Sequence, residues 1–140
     1  MLKTESFIED RIIWNAGRHK MPDGNCFICS SEHPYSKSIS RFNHLGKPIL
    51  LFFLDEKNWS VLGTKGISGV IDDDFRAVEY SEIVELDGFE AAREKKTEKS
   101  KLSELKVIGK QKEFLFKTTP GGEFFAFWNI ALMLQRMLLK

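Results

Sequence analysis

The segment from about Gly122 to Lys140 constrains the fold most, because its apolar residues recur at helical spacing. One row, with intervals of three and four, comprises Phe124, Phe127, Ala131, Leu134 and Leu138. A second row comprises Phe125, Trp128 and Leu132. Such intervals place residues on one face of an α-helix, so the segment predicts an amphipathic C-terminal helix. Its apolar stripe is wider than one sheet face needs, so either a curved sheet and a second helix cover it or part of it faces a partner.

The residues before this segment favour β-strands over most of their length. The run from Ile49 to Leu54 is apolar at every position, which is typical of a central strand buried on both faces. Short β-prone or alternating stretches separated by turn residues predict further strands. They are 25–29, 38–42, 59–64, 67–71, 76–80, 82–86, 105–108 and 113–117. Because most are joined by short turns, we expect antiparallel pairing, with Lys65 and Gly66 as one hairpin turn.

A short N-terminal helix is predicted over about 5–16. Thr4 can cap its start, apolar residues from Phe7 to Ile13 lie roughly on one face, and Gly17 suits its end. With 140 residues the chain is the size of one domain. We therefore predict a single α+β domain over 1–140, with an antiparallel bent sheet or partly open barrel closed by the C-terminal helix. Residues 1–58 supply the N-terminal helix and the first strands, and 59–140 supply the rest.

Composition narrows the functional classes. The chain has 21 basic and 20 acidic residues and a net charge of +1, which gives no support for a nucleic-acid binder. No apolar run reaches the ~18 residues that a membrane-spanning helix needs. The segment 1–6 lacks the basic start and apolar stretch of a signal peptide. We therefore expect a cytoplasmic protein whose two cysteines are thiols.

The part from Trp59 onward resembles a bacterial pleckstrin-homology-like (PH-like) domain, a relative of the GRAM type. The resemblance is carried by four stretches: Trp59-Ser-Val-Leu-Gly-Thr-Lys-Gly-Ile67, Glu79-Tyr-Ser-Glu-Ile-Val84, Glu113-Phe-Leu-Phe116 and the helix with Trp128. It implies a bent antiparallel sheet whose open end is plugged by the C-terminal helix. That fold is shared by lipid binders and peptide binders, so the resemblance does not fix a function.

Two cysteines and a histidine form the sharpest candidate for metal chemistry. Cys26, Cys29 and His33, with His19 upstream, could hold Zn²⁺ through thiolate and imidazole ligands. A redox pair is a second alternative for the cysteines. If 25–29 is a strand, however, the two thiols point to opposite faces. Two buried thiols are therefore the favoured interpretation, and no metal or other cofactor is predicted.

Charge is distributed unevenly along the chain. Residues 72–90 hold eight acids and one base, whereas 93–117 hold nine bases and four acids. Four lysines of the second segment could attract an anionic lipid surface: Lys95, Lys96, Lys99 and Lys101. Glu94 and Glu98 lie among them and dilute the field, so a solubilising loop is the simpler interpretation of 93–101.

No catalytic signature is present. His19, His33 and His44 could act as bases, but none lies near a nucleophile motif in the sequence. We therefore predict a non-enzymatic binding module for a protein partner or for a second copy of itself, of which an immunity protein that neutralises a toxin would be a narrow case. The alternatives are anionic-lipid binding through 93–101 and a small zinc or thiol protein using Cys26, Cys29 and His33.

Overall fold

The fold is described from a computed structural model, for residues 4–29, 45–89 and 101–138. These described residues form two helices, α1 (Glu5–Arg18) and α2 (Gly122–Leu138), and eight strands. The strands are β1 (Cys26–Ile28), β2 (Pro48–Asp55), β3 (Asn58–Gly63), β4 (Gly66–Ile71), β5 (Asp74–Glu79), β6 (Ile83–Asp87), β7 (Glu104–Gly109) and β8 (Glu113–Lys117). This order confirms the predicted α+β class and the C-terminal helix.

The strands form two antiparallel sheets. The first has the order β1-β2-β3-β4-β5, and the second has the order β6-β7-β8. A 3-10 turn at Tyr80–Glu82 leads from β5 to β6 and so connects the sheets. The two sheets and the C-terminal helix packed against them agree with the coarse form that the resemblance implies.

Strand β2 is the interior strand that its apolar run predicted. It pairs with β1 on one side and β3 on the other, and the side chains of 49–52 are buried. Leu50 and Phe52 join the main core, whereas Leu51 lies on the opposite sheet face. There it packs with Trp59, Val61 and Val70 in a second apolar cluster. Apolar residues are therefore needed at every position from 49 to 52, because both sheet faces exclude water there, whereas Leu54 and Asp55 at the end of β2 are exposed.

The main core lies between the sheets and the helices. Phe127 of α2 packs edge-on against Phe52 of β2, with ring centroids 5.1 Å apart, and is 6.5 Å from the ring of Phe116 on β8. From α1, the core receives Ile8, Ile12 and Ala16. The aromatic residues of α2 therefore fill the space where the two sheets meet.

The edges of the two sheets approach each other without forming a ladder. Strands β5 and β8 are each at a sheet edge, and among the described strands no pairing joins them. The guanidinium of Arg76 on β5 instead donates a 3.1 Å hydrogen bond to the carbonyl oxygen of Leu115 on β8. The hydroxyl of Ser60 on β3, an interior strand, donates a 2.7 Å bond to the carbonyl oxygen of Lys117, so β8 also contacts the interior of the first sheet. Side chains therefore bridge a seam that backbone pairing leaves open.

Some predicted boundaries shift. The hydroxyl oxygen of Thr4 accepts a hydrogen bond from the Phe7 amide, which confirms the cap of α1. Gly17 was wrongly predicted to end α1: the helix continues to Arg18, and the left-handed residue is Lys20, with φ of 62°. The turn between β3 and β4 consists of 64–65, and Gly66 already belongs to β4. The predicted strand 38–42 lies outside the described residues, as does most of 89–101.

Neither described helix combines the length and the apolar character needed to cross a membrane.

Candidate functional site

Helix α1 presents an aromatic row to solvent on the side away from its buried row. Phe7 and Trp14, two turns apart, are 42% and 52% exposed, while Ile12 is completely buried. Side chains seven residues apart lie on the same helix face. Such side chains can mark an interaction surface when they form a patch together with neighbouring apolar residues.

Two arginines stack on Trp14. The guanidinium carbon of Arg11 lies 4.7 Å from the centre of the Trp14 ring, and that of Arg18 lies 5.1 Å from it. Their spacing along α1, three residues before and four after the tryptophan, places them on its face. Each cation–π contact stabilises the arrangement by about 0.5–1 kcal/mol at an exposed site. Trp14 is thereby held in a fixed, positively charged setting.

A groove of about 460 Å³ continues from Arg11 to the outward side of α2. Its other lining residues come from α2 and are Asn129, Leu132, Met133, Arg136 and Met137. The leucine and both methionines are half-buried, whereas Asn129 and Arg136 are exposed. We refer to this surface as the two-helix face; it comprises Arg11, Trp14 and Arg18 of α1 with the five lining residues of α2.

Positive charge predominates on the two-helix face. Three arginines belong to it, and Asp10, which precedes Arg11 in the chain, is an exposed acid beside it. The other two acids of α1 are engaged elsewhere: Glu9 forms a 3.0 Å ion pair with Lys47, and Glu5 accepts a 2.9 Å hydrogen bond from the hydroxyl of Thr64. The face is therefore apolar at its centre and cationic around it.

The wide apolar stripe of α2 is only partly used for packing. Helix α1 does pack beside α2, as the first of the two expectations required. Phe124, Phe127 and Leu134 are fully buried. Leu132, from the second predicted row, packs against the main core and also borders the groove. Part of the apolar stripe of α2 therefore lies on the two-helix face.

The structure separates the two cysteines. Cys26 belongs to the main core, and Cys29 packs on the opposite sheet face with the cluster around Trp59. Burial raises the pKa of both thiols to about 12. At neutral pH such thiols stay protonated, whereas metal binding and nucleophilic chemistry need the thiolate.

The third predicted metal ligand, His33, lies outside the described residues. Within 4–29, 45–89 and 101–138, no group of three or more His, Cys, Asp or Glu side chains could hold an ion together. Cys26 and Cys29 therefore do not offer a shared pair of ligands in this structure, and the zinc hypothesis stays a prediction.

Of the four lysines in the predicted anionic-lipid site, the structure describes one. Lys101 is exposed and lies shortly before β7. Lys95, Lys96 and Lys99 lie outside the described residues. Lipid binding through this segment therefore stays a prediction.

Three other cavities along the described residues lie away from the two-helix face. The first, of about 510 Å³, follows the seam between β5 and β8, where Arg76 pairs with Asp74 and Lys106 with Glu113. The second, of about 290 Å³, lies beside Tyr80 and Leu138, and the third, of about 520 Å³, is lined by 53–57. In the first cavity, four of the charged groups neutralise each other, so it offers a ligand little net charge.

Arg11, Trp14 and Arg18 were not singled out in the sequence. A signal was present, since two arginines flank a tryptophan at helical spacing on the side opposite Ile8 and Ile12. The groove had no such signal, because it depends on how α1 packs against α2.

Comparison with known proteins gives no family. No protein-family model matches the chain, and no significant match was found among curated proteins or solved structures.

Proposed function

We propose that this chain is a non-enzymatic binding module that engages a protein partner through the two-helix face. The observation that carries the proposal is the half-exposed Trp14, held by Arg11 and Arg18 beside an apolar groove. Tryptophan and arginine are the residues most enriched among those that dominate binding energy at protein interfaces. The groove adds two methionines, whose flexible side chains adapt to a partner's shape.

The PH-like resemblance supports the proposal at the level of the scaffold. In this interpretation, 59–140 forms the PH-like portion, and α2 is its closing helix. Helix α1 precedes that portion and supplies Trp14 to the face. The binding surface is thus partly an addition to the PH-like scaffold, which is consistent with the rule that function resides in sites placed on folds.

The chemistry of the face favours binding over catalysis. Its polar side-chain groups are three guanidiniums, one amide and the indole N–H of Trp14, and guanidiniums remain protonated in proteins. Such groups recognise carboxylates and pack on apolar surface, but they do not act as a nucleophile or a general base at neutral pH.

The proposal is tested by affinity purification of the full chain from its native cells, with two variants for comparison. Trp14→Ser removes the aromatic centre of the face. Val84→Ser is the matched control, because Val84 is a 60% exposed apolar residue on β6. Any stoichiometric partner is then purified, and its affinity for each variant is measured by calorimetry.

We expect the Trp14→Ser chain to bind the purified partner at least tenfold more weakly, and the Val84→Ser chain to bind it like the wild type. A partner bound equally by all three chains would place the interaction elsewhere and refute the proposal. Circular dichroism checks that each variant is folded.

A further inference from the structure

The charge and shape of the two-helix face indicate what kind of partner it fits. We propose, on the basis of the function proposed above, that the partner presents an acidic amphipathic helix whose apolar side chains enter the groove between α1 and α2. Three observations favour this occupant over a second copy of the chain, an extended strand or a membrane.

The first observation is the charge. Arg11 and Arg136 line the groove, and Arg18 stacks on Trp14. Asp10 is an exposed acid next to Arg11 in the chain. Opposite charge on the partner would steer association and set its orientation. A two-fold symmetric pair of identical chains would place the same arginine-rich patch on both sides of the interface. The charge therefore favours a different, acidic partner.

The second observation is the shape. The apolar residues Leu132, Met133 and Met137 line a concave groove between two helices, rather than a protruding ridge. A helix that binds in such a groove inserts residues spaced by three and four positions. Membrane-surface helices, in contrast, bury a protruding apolar face among lipid headgroups. The concavity therefore favours a protein helix.

The third observation is that the backbone groups in the helices of this face are already hydrogen-bonded. Residues of an α-helix interior bond their own amides and carbonyls, so α1 and α2 offer no strand edge at the face. An extended peptide that adds a strand needs such an edge. The groove can therefore accept the side chains of a helix, but it cannot pair with the backbone of a strand.

A displayed library of random 18-residue peptides, selected on the full chain, tests this inference. We expect the selected peptides to be enriched in Asp and Glu around apolar residues at helical spacing, and to gain helical circular dichroism on binding. We expect binding to weaken at least tenfold for Trp14→Ser and for the double variant Arg11→Glu, Arg136→Glu, but not for Val84→Ser. It should also weaken as salt is added, since the attraction is between exposed charges.

Several results would contradict the inference. Selected peptides that are basic, neutral or proline-rich, peptides indifferent to Trp14→Ser, or no enrichment would each overturn the inference. So would Trp14-dependent sedimentation with phosphatidylglycerol vesicles or Trp14-dependent dimerisation in analytical ultracentrifugation, which would assign the face to a lipid or to a second copy.

The two proposals fail separately. If the native partner needs Trp14 but binds through a basic or extended segment, the proposed function stands and this inference falls. If the native partner is indifferent to Trp14→Ser, the proposed function itself falls.

Discussion

The hydroxyl of Tyr80 donates a 2.8 Å hydrogen bond to the carbonyl oxygen of Gly63, in an interior where Tyr80 is 1% exposed. The bond ties the 3-10 turn between the two sheets to the end of β3. Burial also raises the pKa of the Tyr80 phenol well above its usual value, because a phenolate would be left without water. The bond therefore anchors in the core the segment that connects the two sheets.

Tyr80→Phe keeps the ring and removes this bond. We expect the free energy of unfolding to fall by about 1–2 kcal/mol, the usual cost of leaving a buried acceptor without its donor. Urea denaturation at neutral pH measures the change. Ser81→Ala, at an exposed neighbouring position, should leave stability nearly unaltered, and equal losses in both variants would contradict the explanation.

Arg76 should contribute to stability by bridging the seam between β5 and β8. Arg76→Met keeps the apolar stem and removes the hydrogen bond to the carbonyl oxygen of Leu115, so we expect a loss of about 1 kcal/mol. We also expect faster amide hydrogen exchange in β8. Arg76→Lys restores the charge without the planar guanidinium and should recover only part of the loss. Unchanged exchange in β8 with Arg76→Met would show that the bridge is not needed.

Two glycine-to-alanine changes should have opposite signs. A Cβ at Gly88 would lie 2.5 Å from Cε3 of Trp128, whose ring packs edge-on against Phe89. Gly88→Ala must displace this ring and should lower stability by about 1–3 kcal/mol. A Cβ at Gly17 would meet nothing within 4 Å, and alanine is the better helix former, so Gly17→Ala should raise stability by up to ~1 kcal/mol. Thermal unfolding measures both, and changes of the same sign would refute the argument.

The thiols should be unreactive in the folded protein. With a pKa of about 12 for both Cys26 and Cys29, only about one thiol in ten thousand is ionised at pH 8, and the thiolate is the reactive form. We expect Ellman's reagent to react slowly with the native chain and rapidly once guanidinium unfolds it. A fast-reacting thiol in the native protein would revive the redox alternative.

Stability should fall at alkaline pH for the same reason. The pKa of Cys26 rises from the ordinary 9.0 in the unfolded chain to about 12 in the folded one. Above pH 9 the unfolded chain therefore loses the proton first, and unfolding becomes more favourable as the pH rises toward 12. Between pH 7 and pH 10 we expect Cys26→Ala to lose about 1 kcal/mol less stability than the wild type. Parallel pH profiles for the two chains would refute this coupling.

Local patterns in the sequence predicted most elements. The periodicity of 122–140 located α2, and the unbroken apolar run of 49–54 identified β2 as an interior strand. The predicted end of α1 at Gly17 was wrong because Gly17 keeps helical backbone angles, while Lys20 takes the left-handed conformation. Propensity alone does not decide which residue near a helix end makes that turn.

The candidate site was harder to predict. Trp14 and its two arginines are readable from helical spacing, but their importance depends on α2 lying alongside. The groove is lined by residues more than a hundred positions apart in the chain, such as Arg11 and Leu132. No local pattern encodes the relative position of two helices, since that is set by packing against both sheets.

Helix α1 has two rows of side chains that face in different directions. Ile8, Ile12 and Ala16 are buried in the core, whereas Trp14 and Arg18 are exposed on another side of the helix. Substitutions at the exposed positions can therefore change this surface without a matching change in the buried row. Related chains with the same scaffold would then diverge faster at this surface than in their core.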